Sequence, residues 1–352
     1  MSVEIISRDT ASAKMLGKEL TLPFGVNGEM HKVKVKVTGS GSPTRFDKPL
    51  GEMSTPADLY NFVQKSVIDM ARGFLRNPVL YKDIYREVND PTLSRFVNVI
   101  DFIGMQLAFT ALKPGESVPL ASFKTGNLTT AEIVTYGAGY AILRDWIQYN
   151  EAYKVAQAQE MLGFAFNGML NNLYLGPIIA ADYTGNDADG KAKTSATNAD
   201  ATLTYREKVR TTIQTAIRDA LARRNPVTKM AMRPTIALCD SVTADIISEV
   251  INNKLTEKGS EYQPLSQIQK IIAYDGASVT VAGKTYSYAG PTAKHVFLIQ
   301  PLQGFVELIK EDLTPLTQAG DVLKLADEEK SFEFMRGIIA DTANSVQKVI
   351  IP

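Results

Sequence analysis

The sequence predicts an α+β chain, in which helices and mostly local strand pairs follow one another without the regular β-α-β alternation of a doubly wound parallel sheet. Four stretches carry that expectation. Residues 150–175 read as one long helix, 19–37 and 278–288 read as alternating hairpins, and the last thirty residues hold two strand-rich segments, FEFMRGIIA and VQKVIIP.

Taking the elements in order, ELTLPFGV and EMHKVKVKV flank Asn27-Gly28, the pair favoured in a two-residue hairpin turn. The second arm alternates strictly, with Lys32, Lys34 and Lys36 on one face and Val33, Val35 and Val37 on the other. Lysines along a strand protect an exposed edge, so a solvated edge strand is the expectation. The functional alternative is a basic face for a neighbouring subunit's carboxylates or for nucleic acid. TGSGSPTRFDKPLGEM follows as an irregular arm. A helix is expected from Thr55, with Pro56 at its first position, through Leu59, Phe62, Val63, Val67 and Met70 to Phe74. Residues 91–104 fit no single pattern.

Gln106–Leu112 is strand-like, with Glu132–Tyr136 as its return arm. The intervening KPGESVPLASFKTGNLTT is mainly turn formers, too long and too polar to pack as an ordinary loop. It is expected to project and to gain order against something else. Tyr140–Tyr149 reads as a short helical piece. The long helix then has Asn150 as its N-cap, Glu151 in the first turn, and Val155, Leu162, Phe166, Met169 and Leu173 at helical spacing. Gly176-Pro177 is expected to stop it, giving a length of about 39 Å. DYTGNDADGKAKTSATNADA reads as a polar linker or surface insertion.

Beyond it, Thr204 and Glu207 form a capping box ahead of Val209, Ile213, Ala216, Ala220 and Leu221. Thr235–Cys239 is a short apolar strand, and Asp240 or Ser241 caps a helix holding Ile246, Ile247 and Val250. Ser278–Tyr288 is a hairpin turning at Gly283. HVFLIQ and Phe305–Ile309 are further strands, and FEFMRGIIA and VQKVIIP pair across Asp341–Asn344 to close the chain.

Composition narrows the function. The 352 residues suffice for about two domains, and 38 basic against 38 acidic residues give no global pull towards nucleic acid or an acidic membrane. Near-zero charge permits dense self-association. One cysteine, Cys239, excludes an intrachain disulfide, and two histidines, His31 and His295, leave too few ligands for an ordinary zinc site. No secretory leader is visible, and Asn167, Asn171 and Asn172 argue against a membrane span within 161–181.

Gly283-Lys284-Thr285 has the tail of a phosphate loop, but Ser278 stands where its first glycine belongs. Cys239 reads as a buried structural thiol, not a nucleophile paired with His295. Arg223, Arg224, Lys229 and Arg233 read as solvated charges beside a turn, with phosphate contact as the functional alternative. No catalytic, cofactor-binding or metal-binding residues are identified.

The order of these parts resembles the major capsid proteins of tailed bacteriophages, the fold named for the Hong Kong phage. Residues 106–136 look like that family's extended loop, and 150–175 look like its spine helix. RPTIALCDSVTADIISEVI is similar to the axial domain's strand, cap and helix. FEFMRGIIADTANSVQKVIIP, with Arg336, resembles the closing strands. The resemblance spans roughly residues 55–352. It implies an N-terminal arm with a hairpin at 1–54, a helical part of a peripheral domain at 55–104 and an extended loop at 105–137. It then implies the spine helix and polar tract at 138–200, a mainly axial domain at 201–325 and the closing strands of the peripheral domain at 326–352.

The function so implied is a structural subunit forming hexamers and pentamers of an icosahedral head around double-stranded DNA. Such a subunit needs no cofactor, acts on no substrate, assembles in the host cytoplasm and resides in the virion. Its expected partners are other copies of itself, a scaffold, portal and decoration proteins, and the packaged DNA without sequence recognition; no membrane is involved. Contacts between subunits are expected at Lys32, Lys34 and Lys36 of the arm and at Glu116, Phe123 and Lys124 of the loop. Some family members join a loop Lys to a neighbour's Asn. Lys124 lies near the tip, but no acceptor can be placed, so no cross-link is expected. No scaffolding region precedes the arm, so a separate scaffold or none is expected. A nanocompartment shell of the encapsulin kind is the alternative on the same fold, and a cytosolic enzyme with an unrecognised site is the more distant one.

Overall fold

A computed structural model describes residues 2–6, 19–26, 29–38, 69–98, 130–143, 145–146, 149, 151–187, 189–225, 230–252, 255–257, 260–262, 264–281, 284–319 and 326–352. The chain is a mixture of helices and strands. It divides into two compact units, the first of residues 1–79, 134–170 and 309–336, the second of 80–133, 171–308 and 337–352.

In the first unit, strands Glu19–Val26 and Glu29–Thr38 form the expected hairpin, with Val26 opposite Glu29. The lysine strand is not an edge, however. Ser2–Ile6 pairs with it in parallel, which makes Glu29–Thr38 the central strand of three. The reason is a short strand, SVEII, whose partner lies some thirty residues on and leaves no local signal. Strand Val134–Leu143 runs antiparallel to Ala326–Ala340, Tyr136 opposite Phe334 and Ala138 opposite Phe332. Tyr140–Leu143 is therefore strand; only 145–146 are helical among the residues described there. Ala326–Ala340 also pairs with Phe305–Ala319 on its other side, extending the sheet. On that sheet Tyr136 stacks on Phe334 at 5.2 Å, and Phe166 of the long helix meets Phe334 edge-on at 5.0 Å.

The long helix runs Ala152–Ala180, 29 residues or about 44 Å. Its start differs from the sequence expectation: Glu151 lies just before the first turn, and Asn150 is outside the described residues. Its end differs too, because Pro177 sits inside the helix. A proline removes one helical hydrogen bond and crowds the carbonyl four residues back. Burial outweighs that cost, since Tyr174, Leu175 and Ile178 around the proline are all fully enclosed. The Tyr85 hydroxyl also donates to the Tyr174 carbonyl at 2.7 Å. Residues 152–170 of the helix fall in the first unit and 171–180 in the second.

Within the first unit a helical segment, 69–76, crosses the long helix where two glycines meet. A Cβ on Gly163 would fall well inside contact distance of the Met70 carbonyl oxygen, and one on Gly73 would lie 2.7 Å from the Phe164 nitrogen. Asn167 fastens the crossing by donating to the carbonyls of Phe74 at 3.1 Å and Asn77 at 2.8 Å, while Asn77 donates to Phe164 at 3.1 Å. Val155 and Leu162 of the predicted apolar face are buried, whereas Phe166, Met169 and Leu173 are half-buried.

The second unit is built on a five-stranded sheet ordered Lys270–Ala273, Ile236–Cys239, His295–Ile299, Val346–Ile350, Thr194–Ser195. Helices Tyr205–Ala222 and Ser241–Asn252 cover one face. Val209, Ile213, Val250, Val296, Leu298 and Val349 share one core there. The local predictions hold in this unit. Thr204 and Glu207 form the reciprocal capping box. Asp240 caps the second helix through the Thr243 amide at 3.2 Å, and Val281 lies opposite Lys284 in an antiparallel hairpin, not a phosphate loop. One pairing is corrected. FEFMRGIIA and VQKVIIP do not pair with each other: the first joins Val134–Leu143, and Val346–Ile350 inserts between His295–Ile299 and Thr194–Ser195. Glu132 is likewise opposite Phe96, in the stretch without a clear pattern. Gln106–Leu112, its expected partner, lies outside the described residues, as does the helix start at Thr55.

Candidate functional site

Among the described residues no group of His, Cys, Asp and Glu could hold a metal ion, and no helix is long and apolar enough to cross a membrane. The candidate surfaces are therefore built from packing and exposure.

The lysine strand is placed by register alone. Lys36 is opposite Glu19 on one side and Glu4 on the other, Lys34 is between Thr21 and Ser2, and Lys32 faces Pro23. One of the three lysines is thus in register with a glutamate on both neighbouring strands. Glu116, Phe123 and Lys124 lie outside the described residues.

The basic cluster is corrected at its first member. Arg223 is not solvated; it is fully buried. Its Nε pairs with Asp187 at 3.0 Å, and its Nη1 donates to the Val346 carbonyl at 2.7 Å and to Gln347 Oε1 at 2.8 Å. Its Nη2 donates to the Ala343 carbonyl. Planar guanidinium donors suit this multiple role, and a buried charge so paired is tolerable where an isolated one is not. Arg224 donates to Leu221, and Lys229 lies outside the described residues.

Arg223 also explains the polar tract after the long helix. Asp187 Oδ1 accepts from the Asp189 and Lys191 amides at 3.0 and 2.7 Å, and Asp182 and Asp200 each close a turn onto a threonine two residues on. These are the local side-chain-to-backbone bonds that Asp favours outside helices. The composition that reads as a linker therefore encodes a series of turns. Its Ser195 donates to Asp219 at 2.6 Å and accepts from Gln347 at 3.0 Å.

Burial shifts two groups that chemistry could use. Burial first, then the nearby Asp240 and Asp275, pushes the Cys239 thiol up to about 12. Burial first, then Lys348, holds the His295 imidazole below its usual range. Near Glu307, which is fully buried, Tyr81 donates at 2.8 Å and Lys82 at 3.3 Å. Tyr81 stacks on Tyr174 at 3.9 Å, and Tyr85 meets Tyr174 and Phe305 edge-on at 5.0 and 5.2 Å. Burial, more than the neighbouring Tyr183 and Glu307, raises the Tyr85 hydroxyl and keeps it a donor. This is a packed polar and aromatic core.

What sequence reading missed is the outer face of the long helix. Tyr153 and Met161 are 61 % and 67 % exposed, and Phe164 continues the same ridge with Gln157 between them, while Tyr149, before the helix begins, is 72 % exposed. Positions four and three apart share one helix face, so these form an uncharged line. Arg76 lies 6.0 Å over the Phe164 ring and pairs with Glu160 at 2.7 Å beside it. The hairpin Gly276–Val281 with Lys284–Ala289 is a second exposed surface, where Val279 is opposite Tyr286 and both are exposed. Scattered exposed apolar residues are ordinary, whereas aligned ones mark contact surfaces. The signal was available: 153, 157, 161 and 164 recur at helical spacing opposite the predicted core face.

Neither a protein-family model nor a curated protein matches the sequence. Solved structures do. The chain is similar to the mature capsid protein of bacteriophage PhiM1, with 11% identity over 78% of this chain and 87% of that one at a TM-score of 0.47. It is similar to a virus-like particle from Pyrococcus furiosus, with 10% identity over 83% of this chain and 99% of that one at a TM-score of 0.47. It is similar to an encapsulin complex from Synechococcus elongatus, with 11% identity over 64% of this chain and 75% of that one at a TM-score of 0.39.

Proposed function

We propose that this chain is a structural shell protein that assembles into the hexamers and pentamers of a phage head enclosing double-stranded DNA. The observation that carries the reading is the succession of parts: an N-terminal hairpin, a long strand leading into a 29-residue helix, then a five-stranded sheet with two capped helices. The uncharged ridge on that helix supports it, because copies of a chain with zero formal charge can pack such surfaces together with little repulsion. Standard interfaces bury about 1,600 Å², and the extended loop at 105–137 and arm at 1–54 are proposed to add contacts beyond that through Lys32, Lys34, Lys36, Glu116, Phe123 and Lys124. No catalytic role is proposed. The virion as location, assembly in the host cytoplasm, and partnership with scaffold, portal and decoration proteins belong to the same reading.

Negative-stain microscopy with light scattering on the purified chain tests it. Closed shells, sheets or sixfold rings are expected, and deleting residues 117–126 should leave folded subunits that no longer close. A monodisperse monomer or dimer, even with its scaffold supplied, overturns the reading. Shells that retain an enzyme instead of DNA move it to a nanocompartment.

A further inference from the structure

The second unit contains a polar network that joins two segments far apart in sequence. Between residues 187 and 197 the polar tract meets the closing strand Val346–Ile350 repeatedly. Lys348 and Val349 pair in parallel with Thr194 and Ser195, and the Lys348 amide donates to the Lys193 carbonyl at 2.9 Å. Gln347 Nε2 donates to the Ala192 carbonyl and to Ser195 Oγ, each at 3.0 Å, and Thr197 Oγ1 donates to the Ile350 carbonyl at 2.6 Å. Arg223 links the same two segments from below, binding Asp187 with one edge and Val346 and Gln347 with the other. The tract's bonds to helix Tyr205–Ala222 are fewer: Asn198 to Thr211 and Thr212, and Ser195 to Asp219. Just before the tract, Tyr183 packs against Phe297 at 5.5 Å.

We infer that the closing strand is a clasp whose seating through Gln347 decides whether the tract 187–197 is ordered. The tract has little apolar surface, and its own bonds, such as those from the Asp189 and Lys191 amides to Asp187, close only local turns. Its seating against the sheet comes from its bonds with the closing strand. Loss of the Gln347 bonds therefore frees a surface segment carrying Lys191 and Lys193 while Val349 stays in the core it shares with the helices. This holds whether or not the chain forms shells.

Hydrogen exchange on the full chain tests the clasp. In Gln347→Ala, amides within 187–197 should exchange about tenfold faster, as expected for losing one or two net hydrogen bonds of local stability. Amides of 209–220 and 244–251 should keep their rates. Thr197→Val, which leaves Arg223 and its partners intact, should show a smaller change confined to the same segment. Unchanged exchange in 187–197 for both variants overturns the clasp, and so does equal acceleration in the tract and the two helices, which would make the strand part of one indivisible core.

Discussion

The helix crossing in the first unit and the Arg223 network in the second are both buried, yet they are ordered by opposite means. At the crossing, Gly73 and Gly163 let two backbones approach until there is no room for a side chain. At the network, Arg223, the largest fully buried side chain among the described residues, fills the space and joins the Asp187 carboxylate of one segment to the Ala343 and Val346 carbonyls of another. The first is broken by adding an atom and the second by removing a charge. The same interior can thus be specified by absence where helices meet and by a single polar hub where irregular chain must be held.

Removing the hub should have the largest effect. Arg223→Ala leaves Asp187 buried without its partner, which should lower unfolding free energy by about 3–5 kcal/mol. Denaturant titration reads it, and a loss under about 1 kcal/mol would mean that water takes over the guanidinium's role. Crowding the crossing should cost less, about 1–3 kcal/mol for Gly163→Ala, because the obstacle is the Met70 carbonyl and not a flexible side-chain end. Gly176→Ala is the control. Its Cβ would meet only Asn172 Oδ1, at 3.7 Å, so the better helix former should stabilise by about 0.5–1 kcal/mol. Two glycine variants of equal sign would show that space is not what separates these positions.

Smaller effects sharpen the picture of the second unit. Cys239 should resist thiol reagents in the folded chain at pH 8 and react once denatured, because burial raises its thiol to about 12. Rapid native labelling would place the strand Ile236–Cys239 nearer the surface than it lies. Asp275, by contrast, accepts from the Ser241 hydroxyl and amide, and these bonds, the side-chain one first, hold its carboxyl below the usual range. Its folded pKa is depressed, so its stabilising effect is present above the unfolded value of about 3.9 and is lost as pH falls through the folded one. NMR titration of Ser241→Ala should move Asp275 back towards the ordinary carboxylate value.

The elements legible in the sequence are those whose causes lie within a few residues. The Thr204–Glu207 box, the Asp240 cap, and the hairpins at 19–38 and 276–289 each depend on neighbours in the chain, and each formed as read. The apolar face of the long helix was visible for the same reason, and its exposed ridge could have been. The candidate contact residues were less legible, since a charged side chain looks alike whether it meets solvent, a carboxylate or another subunit.

By itself, then, the sequence determined the α+β class, the capped helices, the tight hairpins and a long helix beginning near residue 150. Only the tertiary structure decided that Ser2–Ile6 would make the lysine strand central and that Pro177 would stay helical. It alone sent the two closing segments to different sheets and buried Arg223 beside Gln347, 124 residues away. The physical reason is range: caps, turns and periodicity act between adjacent residues, whereas burial and strand partnership depend on which distant segments arrive at the same place.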